Sequence, residues 1–123
     1  RGYLQEHKVM RGLKAYLTTT FSPSMISEKS KRATVEELEY LDWKMLLESF
    51  EIIPAVGHEV TAEIISKKIG QVVPANRQNI SIGWQQPIRV IFCAIPQFRV
   101  EEAREFTKEE IENAPFRFFL INT

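Results

Sequence analysis

Ala55-Val56-Gly57-His58-Glu59-Val60-Thr61-Ala62-Glu63-Ile64-Ile65 is the stretch from which the rest of the chain can be organised. Ala62, Ile65 and Ile69 fall on one stripe at helical spacing, with Ile64 beside it. That periodicity predicts an amphipathic helix over 58–69. Gly70 stands where a left-handed C-cap belongs, and Lys67 and Lys68 suit the negative end of the dipole. His58 follows a glycine at the first turn, just after the interruption at Pro54. A helix N-terminus presents backbone N–H groups without intrahelical partners, together with the positive end of the dipole, so it suits an anion. Two readings of His58 follow. It holds a phosphate and passes a proton to it, or it is a polar residue that starts a helix; local sequence alone favours the second.

Upstream, residues 13–19 alternate, with Leu13, Ala15 and Leu17 on one side and Lys14, Tyr16 and Thr18 on the other, as in a strand. Ser22-Pro23 reads as a cap followed by a first-position proline, giving a short turn through Ile26; Ser27 to Arg32 is a polar loop. Thr34 to Glu51 admits two parses. Thr34-x-x-Glu37 is a capping-box pattern for a helix. The alternative, a strand followed by a helix, is what the family resemblance set out below implies; Asp42 would then cap a helix Trp43–Phe50 with Leu46, Leu47 and Phe50 facing the core, and we adopt it. Downstream, 78–84 and 88–95 read as strands joined through Gln85-Gln86-Pro87. Thr107-x-x-Glu110 is a second capping box, opening a short helix to Asn113, and Phe116–Ile121 is the last strand. The expected fold is α+β: a single domain with one mixed sheet of about five strands flanked by helices.

A chain of 123 residues with 44% hydrophobic content suits one domain, and no apolar run approaches the length of a bilayer-spanning helix. No secretory signal pattern is present. The single cysteine, Cys93, sits in Ile91-Phe92-Cys93-Ala94-Ile95 and reads as a core residue; one cysteine cannot form an internal disulfide, which fits a reducing, cytoplasmic setting. Sixteen basic residues balance sixteen acidic ones, which argues against a broad footprint on duplex nucleic acid and leaves room for a small anion held by a few arginines. His7 and His58 are the only histidines and no Cys/His spacing matches a zinc pattern, so no metal and no cofactor is expected. Neither common glycine-rich phosphate-binding motif occurs. Residues 13–123 carry the domain; residues 1–12 read as an extension, a linker or the remnant of a tag, with Met10 a candidate start.

Gly57-His58, Thr61 three residues on, Gly70 and then Asn76-Arg77 before a strand resemble the core of the viral ring nucleases. These are small type III anti-CRISPR proteins, long catalogued as a domain of unknown function in archaeal viruses. Ala15-Tyr16-Leu17-Thr18-Thr19-Thr20-Phe21-Ser22 resembles the family's first strand and the loop after it, although members often carry Asn where Thr19 stands. Arg99-Val100-Glu101-Glu102 resembles its Arg-x-x-Glu segment, and Phe116-Arg117-Phe118-Phe119-Leu120-Ile121 its last strand. The likeness spans roughly residues 13 to 122.

The resemblance implies opening of cyclic tetra-adenylate, the second messenger of type III CRISPR systems, to linear di-adenylates ending in 2′,3′-cyclic phosphate. The ribose 2′-hydroxyl is the nucleophile, so the protein must hold it in line and protonate the leaving 5′-oxygen. His58 is the expected general acid. Because a helix N-terminus disfavours a cationic imidazole, a nearby carboxylate is wanted, and the resemblance supplies Glu102; the plainer reading of Glu102 is a solvated acid in Glu101-Glu102. Arg77 is expected on ligand phosphate, where a planar fork suits the oxygens, with Asn76 beside it and Arg99 in a similar role. Gly57 and Ser22 complete the expected substrate-binding set, although Ser22 also reads as a plain cap. A homodimer is expected, because a ligand of fourfold chemical symmetry contains the twofold axis of a two-chain site. The alternatives are a non-catalytic sponge or sensor of cyclic nucleotides and a module that binds a host protein.

Overall fold

The computed structural model describes residues 13–30, 32–99 and 107–123. Within them five strands form one mixed sheet: β1 (Lys14–Thr18), β2 (Thr34–Leu38), β3 (Glu51–Pro54), β4 (Val90–Pro96) and β5 (Phe116–Asn122). Their order across the sheet is β2-β5-β4-β1-β3. β1 runs parallel to both β3 and β4, whereas β5 is antiparallel to β4 and to β2. The α+β class and the mixed sheet expected from the sequence are therefore present.

Among the described residues three α-helices accompany the strands: α1 (Tyr40–Leu47), α2 (Glu59–Ile69) and α3 (Lys108–Asn113). α2 ends at Gly70 with φ 74°, a conformation open to glycine because it has no Cβ to clash. Its stripe residues Ala62, Ile64, Ile65 and Ile69 are all buried. α1 pushes Leu46 and Leu47 inward, as the strand-then-helix parse expects, and Trp43 with them; it ends at Leu47, so Phe50 packs half-buried from beyond the helix.

Three expectations are corrected. α1 starts three residues earlier than Trp43, with Glu39 rather than Asp42 at its N-cap. β3 had no counterpart in the sequence reading; it is a four-residue edge strand whose Lys14↔Glu51 to Leu17↔Pro54 pairing with β1 supplies its stability. Residues 78–84 form no strand. Only an isolated bridge, Ile26↔Ile82, occurs there, and Ile80 and Ile82 are buried without a ladder.

The period-2 pleat divides the sheet into two faces. Ala15, Leu17, Phe92, Ala94 and Phe118 pack under α1 and α2 against Trp43, Leu47 and Ile65. Trp43 is fully buried, stands edge-on to Phe92 at 5.8 Å and donates its indole N–H to the Phe119 carbonyl at 3.0 Å. Truncating such a side chain typically costs ~3–5 kcal/mol. The other face carries Ile91, Cys93 and Ile121 and is covered by loop residues, among them Phe21, Met25, Ile26, Ile80 and Ile82. Burial pushes the Cys93 thiol up to about 12, so it stays protonated as a core residue.

Candidate active site

The parallel trio β3-β1-β4 ends at Pro54, Thr18 and Pro96, so the segments that follow leave from one edge of the sheet. That edge, beyond the carboxyl ends of parallel strands, is where open sheets commonly bind ligands. The segment after β3 is Ala55-Val56-Gly57-His58, and it delivers the chain directly into α2. His58 is the N-cap, extended at φ −110° and ψ 128°, and its carbonyl accepts the first helical bond from Ala62 N at 2.9 Å. The His58 side chain makes no capping hydrogen bond to this helix end.

The chain returns to the same edge after α2. Asn76 N donates to the Val56 carbonyl at 2.8 Å. The side-chain amides of Asn76 and Gln78 both donate to the Pro54 carbonyl, at 2.9 and 2.8 Å. These bonds pin the return segment across the end of β3 and lay Arg77 over Gly57. A Cβ built on Gly57 would stand 3.4 Å from Arg77 Nε. Gly57, His58, Glu59, Val60 and Arg77 together line a cleft of about 400 Å³. Its charged and polar members are exposed. A helix N-terminus, a guanidinium and an imidazole thus converge on one open cleft, with Glu59 as its acidic member.

The structure therefore brings together Gly57, His58 and Arg77 of the expected residues. Asn76 sits beside them, its amide tied to Pro54, so it positions the segment that carries Arg77. Ser22 lies in the loop after β1 and caps a 3-10 turn, Pro23–Met25, its hydroxyl accepting from Ser24 N at 3.4 Å. Arg99 is exposed, three residues beyond the end of β4. These two share the edge but do not line the cleft. Glu102 lies outside the described residues, as do residues 1–12. Gln78 is the contributor that sequence reasoning passed over. Its signal was the Asn76-x-Gln78 spacing, which puts both amides on one side of an extended segment.

The STIV B116-like family profile matches residues 15–118, most of the chain and all of the cleft. The chain belongs to the STIV B116-like family. Among solved structures it resembles B116 of Sulfolobus turreted icosahedral virus, with a TM-score of 0.75 at 22% identity, over 89% of this chain and 99% of that one. At that identity the likeness shows the shared fold. No curated protein matches the chain. In this B116-like protein no described helix is long and apolar enough to cross a membrane. Among the described residues no group of three or more His, Cys, Asp or Glu side chains is arranged to hold a metal ion.

Proposed function

We propose that this B116-like protein is a metal-independent ring nuclease that opens cyclic tetra-adenylate and so switches off type III CRISPR signalling. The observation that carries the reading is the convergence of His58 and Arg77 across Gly57 at the N-terminus of α2. Arg77 and the first-turn amides hold a phosphate. The ribose 2′-oxygen of the substrate bonds to the adjacent phosphorus while the bond from phosphorus to the 5′-oxygen breaks. The 2′-hydroxyl proton leaves to solvent, and the His58 imidazolium gives its proton to the departing 5′-oxygen. The nucleophile belongs to the substrate, so the step asks for no activated water. Glu102 is assigned, through the family likeness, as the carboxylate that keeps the imidazole charged. Ser22 and Arg99 are assigned to the ligand's periphery on the same edge.

The acting unit is a homodimer. Two copies related by a twofold axis use one set of residues twice on the ring and place two His58 side chains at opposite phosphodiesters. Its setting is the cytoplasm in which the messenger is made.

Incubation with labelled cyclic tetra-adenylate in excess EDTA tests this. The expected product is linear di-adenylate with a 2′,3′-cyclic phosphate, and a ring carrying 2′-O-methyl groups should bind yet stay closed. Intact ring recovered from a tight complex would replace the nuclease with a sponge. Activity lost to chelator and restored by Mg²⁺ or Mn²⁺ would overturn the metal-independent route.

A further inference from the structure

A second polar cleft lies on the loop-covered side, sharing no residue with the cleft at His58. Residues 26 and 82 form a parallel bridge, with Ile82 N donating to the Met25 carbonyl at 2.8 Å and Ser27 N to the Ile82 carbonyl at 2.7 Å. The bridge sets turn 27–30 against turn 83–86. Contact is tightest at buried Gly83, where a Cβ would run into Ser30 Oγ and approach Ser27 Cβ at 3.0 Å. Trp84 follows, anchored twice. Its backbone N–H donates to Ser30 Oγ at 3.0 Å and its indole N–H to the Lys29 carbonyl at 3.2 Å. It nevertheless remains 55% exposed. A large aromatic held in place with much of its surface in water gains little from burial and offers a preset surface for stacking. Beside it is a cleft of about 470 Å³ whose lining includes Ser24, Glu28, Lys29, Ser81, Gln85 and Gln86. Lys29 joins the two features, since it lines the cleft and its carbonyl fixes the indole.

We propose that Trp84 and this cleft form a second ligand site, for a nucleotide unit. The base stacks on the exposed indole, since every base has a π-face. The phosphate lies by the Lys29 ammonium, and the Gln85 and Gln86 amides, which both donate and accept, meet the base edge or ribose. Glu28 accepts from an exocyclic amine, which favours adenine, cytosine and guanine over uracil. A neutral sugar would stack on the indole but leave Lys29 without an opposite charge. A protein partner would be expected to meet an apolar rim, and apart from Ile26 this lining is hydroxyl, amide and charge. The proposal stands apart from the role of His58.

The chain has two tryptophans, and Trp43 is fully buried, so quenching of the exposed emission reports Trp84. Titration with adenosine 5′-monophosphate should quench it, and methyl glucoside should not. In an Arg77→Ala background, which removes the main phosphate contact of the first cleft, calorimetry should show Trp84→Ala weakening the nucleotide about 5- to 150-fold. Trp84→Phe keeps a stacking face without the anchoring N–H, and its affinity should stay within a few-fold of the parent. Lys29→Gln should bring the nucleotide's affinity down to that of adenosine. Linear tetra-adenylate binding more tightly than the mononucleotide, with the same quenching, would assign the site to single strands; equal affinity would assign it to free nucleotides. Absence of quenching, equal binding of methyl glucoside, or an affinity unmoved by Trp84→Ala would overturn the proposal.

Discussion

The helices α2 and α3 begin in opposite ways. At α3, Thr107 Oγ1 accepts from Glu110 N at 3.1 Å while Thr107 N donates to Glu110 Oε1 at 2.9 Å, so the helix closes its own end. At α2 the cap is His58, whose side chain makes no capping bond, Gly57 precedes it and Arg77 crosses in front. A good cap is worth ~1 kcal/mol. α2 forgoes that contribution where Gly57, His58, Glu59, Val60 and Arg77 line an open cleft, whereas α3 keeps it beside a smaller cleft lined by Lys67, Lys108, Ile111 and Glu112. The contrast separates a helix end closed by its own side chains from one that the proposed function uses to receive an anion.

The sharpest way to break this comparison is His58→Ala. Ring opening in single turnover should slow by about 10²- to 10⁴-fold. Ring binding should persist, because Arg77 and the backbone amides remain. Cleavage near the wild-type rate would remove His58 as the acid. Arg77→Ala comes next. Each protomer loses a charged contact, and losing one such contact typically costs ~2–5 kcal/mol. Twice the lower figure is on the order of a thousandfold in affinity. Calorimetry should also give one ring per two chains, and unaltered affinity or a tight one-to-one complex would refute the shared site.

A substitution at each helix start then sharpens the contrast. Thr107→Ala should lower unfolding stability by about 1 kcal/mol and leave ring opening within twofold. His58→Ser should do the reverse, adding up to ~1 kcal/mol through a new cap while abolishing proton donation. Denaturant melts and single-turnover assays on the same preparations decide the matter. If both variants moved stability and rate together, the division of labour would fail.

The smallest effect concerns the sheet under both helices. Cys93 is pushed up to about 12 by burial, against about 8.5 in an unfolded chain. Between those values the unfolded chain has lost a proton that the folded one keeps, so stability falls as pH rises. From this residue the loss should be about 0.8 kcal/mol at pH 9. Cys93→Ala should show a correspondingly smaller fall between pH 7 and pH 9, and thiol alkylation should follow global unfolding.

Much of the fold was legible in the chain because its signals are local. The α2 stripe ending in Gly70, the Thr107 box and the alternation of β1 each depend on neighbours a few residues away. Thr34-x-x-Glu37 shows where local reading stops. As a motif it starts a helix, yet Glu37 is claimed from another strand, with Arg117 Nη2 and Nε donating to its two carboxylate oxygens at 2.7 and 3.0 Å. Those hydrogen bonds also hold the Glu37 carboxyl below its usual range. β5 offers β2 a complete ladder, and pairing outweighs a capping signal. β3 was invisible for the same reason: four residues ending in Pro54 have no strand signature until β1 lies beside them.

The candidate site divides in the same way. Sequence by itself determined that His58 would stand at a helix start behind a glycine, because helix periodicity and the interruption at Pro54 are written in consecutive residues. It did not determine what would face that histidine. Tertiary structure decided this, when the Pro54 carbonyl collected the Asn76 and Gln78 amides and drew Arg77 across Gly57. A contact between segments so far apart along the chain depends on the path the backbone takes through the parallel sheet, and that path is set by burial of both sheet faces together.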